Sequence, residues 1–271
     1  MPPSPEPILV APLFAPLNDE LIALLRGLTD AEWTARAVGT WTVKDVAAHL
    51  LDTSLRRLSV QRDRFAPPFA AIQDLAALIN DMNAQWVSSA QRLSPRILVE
   101  MLETYGREMA EYMVSLDPYA PAEWSVSWAG ETTSANWFDT ARELTERWHH
   151  QQQIRDAAGR PPLYDLRYFK PVIDTFLRAL PYTYRNAAAA DGMRVTIAVR
   201  DVTRSSIVRG DGKWSLDAQS DNADTTVSMT GDTAWRLFTK GLARDDARRQ
   251  SEIRGDSALA EPLFSTVAVV A

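Results

Sequence analysis

The spacing of apolar residues changes abruptly after the segment GRPP at residues 159–162, and this change constrains the fold more than any other feature. Before it, apolar residues recur every three to four positions in long runs, which is typical of amphipathic helices. After it, short β-branched runs are separated by turn residues, which is typical of an antiparallel sheet. The chain has 271 residues, enough for two domains. We therefore predict an α+β protein with domains at residues 1–160 and 161–271.

The first part of the chain is predicted to be an antiparallel four-helix bundle preceded by a short leader helix. Thr42 and Asp45 form a capping box, which predicts a helix start at Thr42. Ser94 is the predicted N-cap of the next long helix, and Pro95 occupies the first helical position, where proline is favoured. The predicted helices cover residues 18–29, 42–65, 71–93, 95–116 and 136–157.

The second part is predicted to be an α/β domain with a small antiparallel sheet. The segments MRVTIAVRD, SSIVRG, KWSLDA, TTVSMT and SEIRGD are short and partly alternating, as strands are. Gly210-Asp211-Gly212 is typical of a hairpin turn. Helices are expected at residues 165–183 and in DTAWRLFTKGL, and SALAEPLFSTVAVV is expected to be a terminal helix or an apolar tail.

Histidine is scarce in this chain, with only three residues, and two of them are adjacent. On a helix over 136–157, Glu146 and His150 are i, i+4 neighbours on one face and can reach one metal ion together. The opposite face carries Trp137 and Trp148. A polar face of this kind is also what a solvated helix surface looks like, and His149 points elsewhere, as a structural or exposed residue would.

His49 lies among apolar residues of the helix that starts at Thr42, where a histidine is commonly a buried structural residue. Taken with Glu146 and His150, it completes a set of two imidazoles and one carboxylate from two helices. Three protein ligands leave one position open for water or substrate, as in catalytic zinc sites. Because the chain has no cysteine, thiolate ligands are excluded and any thiol chemistry needs a thiol from outside.

Two segments resemble a known family. WTVKDVAAHLLD, which contains His49, is similar to the start of the second helix in DinB-like metalloproteins. ELTERWHHQQQIRDAAGRPP resembles the last bundle helix of the mycothiol-dependent maleylpyruvate isomerase family. The resemblance implies metal ligation by His49, Glu146 and His150, and a C-terminal domain similar to sterol carrier protein type 2. At one position the chain departs from the family, which commonly has Asp where this chain has Gln153.

The resemblance also implies a function. It implies a divalent metal, most commonly Zn²⁺, and a low-molecular-weight thiol such as mycothiol or bacillithiol. The expected activity is that of a thiol transferase or isomerase on a small electrophilic substrate. Three alternatives stay open: a metal-dependent hydrolase, a non-catalytic metalloprotein, and a module that binds an apolar ligand. In the last case residues 257–271 would line the pocket; otherwise they form a helix that closes the core.

Arginine is abundant in the chain, and a carboxylate-bearing substrate or thiol would need one for bidentate binding. Arg56 and Arg57, about two turns after His49, and Arg236 in the second domain are the candidates. We take Arg56 and Arg236 as the candidate catalytic residues. For each of them, a solvated surface arginine is the ordinary alternative.

Charge and hydropathy limit the location and the partners. A net charge of −6 does not favour nucleic-acid binding. No apolar run is long enough to span a bilayer, and the proline-rich N-terminal leader lacks the basic region of a signal peptide. We expect a cytoplasmic monomer or homodimer with a loosely ordered leader, whose partners are a small-molecule substrate and a thiol.

Overall fold

The computed structural model describes residues 6–65, 75–217 and 222–268. The helices are α1 Phe14–Arg26, α2 Asp30–Trp33, α3 Val43–Arg57, α4 Leu75–Ala90, α5 Pro95–Ser115, α6 Asn136–Ala157, α7 Leu166–Leu177, α8 Leu180–Thr183, α9 Gly231–Phe238, α10 Arg244–Arg249 and α11 Ser257–Ala260. The strands are β1 Arg36–Val38, β2 Trp41–Thr42, β3 Arg194–Val199, β4 Thr203–Gly210, β5 Lys213–Asp217, β6 Thr225–Met229 and β7 Glu252–Gly255. The chain is thus α+β, with a helical N-terminal region and a small sheet in the C-terminal part.

Residue contacts divide the chain into two units. The helical unit comprises the described residues of 10–123 and 146–164, and the sheet unit comprises those of 6–9, 124–145 and 165–268. The division falls inside α6, between Thr145 and Glu146. This grouping differs from a single cut at residue 160, and the domain boundary at residue 160 stays a prediction.

The helical unit is built around α3, which packs against α4 and α5, while α1 packs against α5. Val43, Val46 and Leu50 of α3 are fully buried in the shared core, which also contains Ile154 of α6. Burial of such side chains contributes about 1.5–3 kcal/mol each and fixes how α3 and α6 are rotated about their axes. The core therefore determines which side chains of these two helices can face each other.

Helix limits follow the local signals with a few exceptions. The capping box of Thr42 and the cap of Ser94 are both present, as predicted. The leader helix was predicted to begin at Asn18 but begins at Phe14, because a 3₁₀ turn at Ala11–Leu13 leads directly into it. The α3 helix ends at Arg57 in a π-helical turn, before the predicted end near residue 65. The predicted start of the third helix and part of the leader lie outside the described residues.

The sheet has five strands in the order β5-β4-β3-β6-β7 and is mixed. The prediction of an antiparallel sheet was wrong for one pair, because β3 and β6 run parallel, with Ile197 opposite Val227. Alternation of apolar residues determines which face of a strand is buried, but it does not determine the neighbour or its direction. The β4–β5 hairpin is as predicted, and Asp211 and Gly212 both have positive φ in its turn.

No helix within the described parts of the chain is both long and apolar enough to cross a membrane.

Candidate metal centre

His49 is supplied by α3. The helix begins at the capping box, so His49 lies in its second turn, between the fully buried residues Val46 and Leu50. Only 5% of His49 is exposed. The ring of Trp41 lies 5.2 Å away, centroid to centroid, and covers one side of the imidazole. Burial and the contact with Trp41 therefore restrict the position of this ring.

The other site residues come from α6, a polar helix that is nevertheless buried along most of its length. Trp148 is fully buried, and its Nε1–H donates to the carbonyl oxygen of Leu163 at 3.0 Å. Across the helix pair, Nη2 of Arg147 donates to Oγ of Ser54 on α3 at 2.8 Å. Buried polar groups cost free energy unless they are paired, so a helix of this composition is retained where its polar groups have a specific role.

His49, Glu146 and His150 meet at one point. Oε1 of Glu146 lies 3.2 Å from Nε2 of His49 and 3.0 Å from Nε2 of His150. One possible ligand atom from each residue lies within 4.8 Å of the other two. The imidazole rings of His49 and His150 meet edge to face at 4.8 Å between centroids. The structure thus brings together the three residues that were predicted as metal ligands.

The charges at this point suit metal binding near neutral pH. Burial lowers the pKa of His49, although its hydrogen bond to Glu146 opposes the shift. Burial raises the pKa of Glu146, but His150, His149 and His49 together outweigh burial and hold that pKa well below its usual range. Glu146 is therefore an ionised carboxylate and His49 a neutral imidazole at pH 7, which are the forms that bind metal ions.

The donor set fits a divalent metal such as zinc. Zn–N and Zn–O bonds of about 2.0–2.1 Å in a tetrahedron place neighbouring ligand atoms about 3.3 Å apart. The distances of 3.2 and 3.0 Å from Glu146 to the two imidazoles are close to that value. Two nitrogens and one oxygen also leave a fourth position open, as in catalytic rather than structural zinc sites.

The sequence did not predict the position of His149. It was expected to be a structural or exposed bystander, but it is 4% exposed, and its Nδ1 lies 3.9 Å from Oε2 of Glu146. Its ring centroid is 4.0 Å from that of His150. His149 therefore belongs to the electrostatic surroundings of the site, and the adjacency of the two histidines was the only sequence signal for it.

Gln153, the position at which the chain departs from the family pattern, contacts the site directly. Its Oε1 lies 2.8 Å from Nδ1 of His150, on the side of the ring away from Glu146. Metal-binding histidines commonly donate their second ring N–H to such an acceptor. The departure therefore changes the charge of this partner but keeps the hydrogen bond.

The candidate arginines have different surroundings. Nε of Arg56 lies 3.0 Å from Asp52, and Nη2 donates to Asn83 at 2.9 Å. The charge of Arg56 contributes to the lowered pKa of His49. Arg57 is buried, and its Nη1 donates to Gln61 at 2.9 Å. Arg236 lies on α9 of the sheet unit, where its Nε donates to Asp232 at 2.9 Å.

The chain is similar to proteins of one known family. The family model of the mycothiol maleylpyruvate isomerase N-terminal domain matches residues 14–155. A crystal structure of the mycothiol-dependent maleylpyruvate isomerase is 12% identical, with a TM-score of 0.53, over 86% of this chain and 88% of that chain. A histidine-to-alanine mutant of that isomerase gives 11% identity, the same TM-score and the same coverage. At these identities the two structures show a shared fold.

No curated protein sequence matches the chain. Since the family model covers more than half of the residues, the chain belongs to the mycothiol maleylpyruvate isomerase family.

Proposed function

We propose that the protein is a divalent-metal-dependent enzyme that uses a low-molecular-weight thiol, as a transferase or isomerase acting on a small electrophilic substrate. The observation that carries this proposal is the convergence of His49, Glu146 and His150 inside a chain of this family. The three residues would hold the metal, and two imidazoles with one carboxylate are a ligand set that catalytic Zn²⁺ sites use.

A zinc ion at this position would lower the pKa of a coordinated thiol, so that the nucleophilic thiolate forms at neutral pH. The protein side chains provide the setting for this chemistry. Glu146 is the one carboxylate of the donor set and would partly neutralise the charge of the ion, whereas imidazole ligands would add no negative charge. The chain has no cysteine, so the thiol is an external molecule such as mycothiol.

Arg56 is proposed to bind an anionic group of the thiol or the substrate. Asp52 and Asn83 contact two of its three guanidinium nitrogens, and no further partner of Nη1 occurs in the described part of the chain. A guanidinium fixed in this way presents a free N–H edge, which is suited to a carboxylate. Arg236 stays a second candidate for the same role.

The experiment combines metal analysis with a transfer assay. The purified chain is expected to contain one zinc ion per chain and, with one member of a panel of bacterial thiols, to accelerate conjugation to an electrophilic bimane probe. The His49→Ala variant is the control and is expected to lose both properties. Stoichiometric zinc without transfer by any thiol would favour a structural metal, and transfer by the metal-free protein would overturn the metal-dependent mechanism.

Several finer features remain part of the proposal. They are the four-helix bundle arrangement of the N-terminal helices, the similarity of the C-terminal part to sterol carrier protein type 2, the cytoplasmic location and the monomeric or homodimeric state.

A further inference from the structure

Three consecutive glutamines follow His150, and each has a different partner. Nε2 of Gln151 donates to the carbonyl oxygen of Leu17 at 3.2 Å, and Oε1 of Gln152 accepts from the backbone N–H of Leu163 at 3.0 Å. Both contacts tie α6 to neighbouring backbone. Gln153 differs from them, because its contact is with a side chain of the metal centre, Nδ1 of His150, at 2.8 Å.

This contact determines which nitrogen of His150 can bind a metal. When Oε1 of Gln153 accepts the Nδ1–H, a neutral His150 carries its lone pair on Nε2. That lone pair faces Oε1 of Glu146 at 3.0 Å. A lone pair and a carboxylate oxygen at this distance repel each other unless a proton or a metal ion lies between them, and a bound metal ion would take the place of that proton.

The amide also determines how strongly His150 donates to that ion. A carboxylate at this position would draw the Nδ1 proton toward itself and make the imidazole a more basic ligand. A neutral amide accepts the hydrogen bond without adding charge. The bound ion would then be balanced by one carboxylate, Glu146, and would keep more of its positive charge.

We propose that Gln153 is a positioning residue that holds His150 in the Nδ1–H tautomer, and that its neutral amide makes the bound metal ion a stronger Lewis acid than a carboxylate partner would. This inference rests on the proposed metal site. Gln153 would set the affinity of the site for the metal ion and the Lewis acidity of the bound ion. It would act through His150, without contacting the ion itself.

The test uses the full chain with Gln153→Glu, which adds a carboxylate of the same length, and Gln153→Leu, which removes the acceptor. Zn²⁺ affinity is measured by competition with a chromophoric chelator, and the visible spectrum is recorded with Co²⁺ in place of zinc. The matched control is Gln85→Glu on α4, which makes the same chemical change at an exposed residue whose amide donates to Asp81.

We expect Gln153→Leu to weaken zinc binding about 10- to 100-fold, as loss of such partners typically does. Gln153→Glu should tighten it about tenfold and shift the Co²⁺ bands to higher energy, while Gln85→Glu should leave both unchanged. The melting temperature of the metal-free variants should stay close to that of the wild type, which separates this role from a structural one.

Two results would overturn the inference. If both Gln153 variants bind zinc with wild-type affinity and give the wild-type Co²⁺ spectrum, Gln153 does not tune the ion, although the metal site itself stands. If the wild-type chain binds neither Zn²⁺ nor Co²⁺, the proposed function fails together with the inference. These two results are distinguished by the wild-type titration alone.

Discussion

His49 and Glu146 are 97 residues apart in the chain, yet Nε2 of one lies 3.2 Å from Oε1 of the other. The first belongs to α3 and the second to α6, so this contact connects the two helices that carry the site. This contact also adds a third candidate ligand to the i, i+4 pair on α6.

The two adjacent histidines are expected to have different roles. His150→Ala should abolish stoichiometric zinc binding, because it removes a direct ligand. His149→Ala should change the affinity by about tenfold or less, because its Nδ1 is 3.9 Å from Oε2 of Glu146 and contributes charge rather than coordination. Elemental analysis after dialysis measures both. Equal loss of zinc in the two variants would contradict this assignment of roles.

Zinc should stabilise the folded protein. A ligand that binds only the folded state at about 100 times its Kd adds about 2.7 kcal/mol. For a chain of this size this corresponds to a rise in Tm of roughly 5–10 °C. Differential scanning fluorimetry with and without zinc measures the shift. The His49→Ala variant serves as control and should show no shift, and a wild-type Tm that does not respond to zinc would speak against the site.

The capping box at the start of α3 should contribute to stability. Oγ1 of Thr42 accepts from the Asp45 N–H at 3.3 Å, and Oδ2 of Asp45 accepts from the Thr42 N–H at 2.8 Å. Thr42→Ala removes the first contact and should lower the free energy of unfolding by about 1 kcal/mol. Urea denaturation measures this change. Thr42→Ser keeps the hydroxyl and should retain most of the stability, so equal losses in both variants would argue against the cap.

Asp52 should make stability depend on pH. Burial raises the pKa of Asp52, and Arg56 opposes the shift only in part. The folded protein therefore binds this proton more tightly than the unfolded chain does. Ionised Asp52 lowers the free energy of unfolding at pH 7. This loss disappears as the pH falls through the raised pKa toward the ordinary value of 3.8. In zinc-free protein, the stability of the wild type relative to Asp52→Asn should rise from pH 7 to about pH 4.

Asp63→Asn is the control for this experiment, because the hydrogen bond from Arg62 lowers the pKa of Asp63. Its contribution is fully present above the ordinary value of 3.8 and is lost only as the pH falls below that value through the lowered pKa, so between pH 7 and about pH 4 the stability difference for Asp63→Asn should stay nearly constant. Urea denaturation at several pH values measures both differences. Parallel pH profiles for the two variants would contradict the prediction for Asp52.

Local signals predicted much of the secondary structure. Helix ends depend on side chains within a few residues, so they can be predicted from the sequence. This holds for the capping box at Thr42, the cap at Ser94 and the limits of α6. The turn at Asp211 and Gly212 follows from their tolerance of positive φ. The i, i+4 relation of Glu146 and His150 follows from helix geometry alone.

The sequence by itself thus determined the α+β class, most helix limits and the pairing of Glu146 with His150 on one face. The tertiary structure alone decided that His49 meets this pair, that His149 is buried beside it, and that Gln153 contacts the outer nitrogen of His150. It also decided that β6 pairs parallel with β3. The physical reason is that capping and periodicity act within one or two helical turns, whereas helix rotation and strand pairing are set by packing between distant segments.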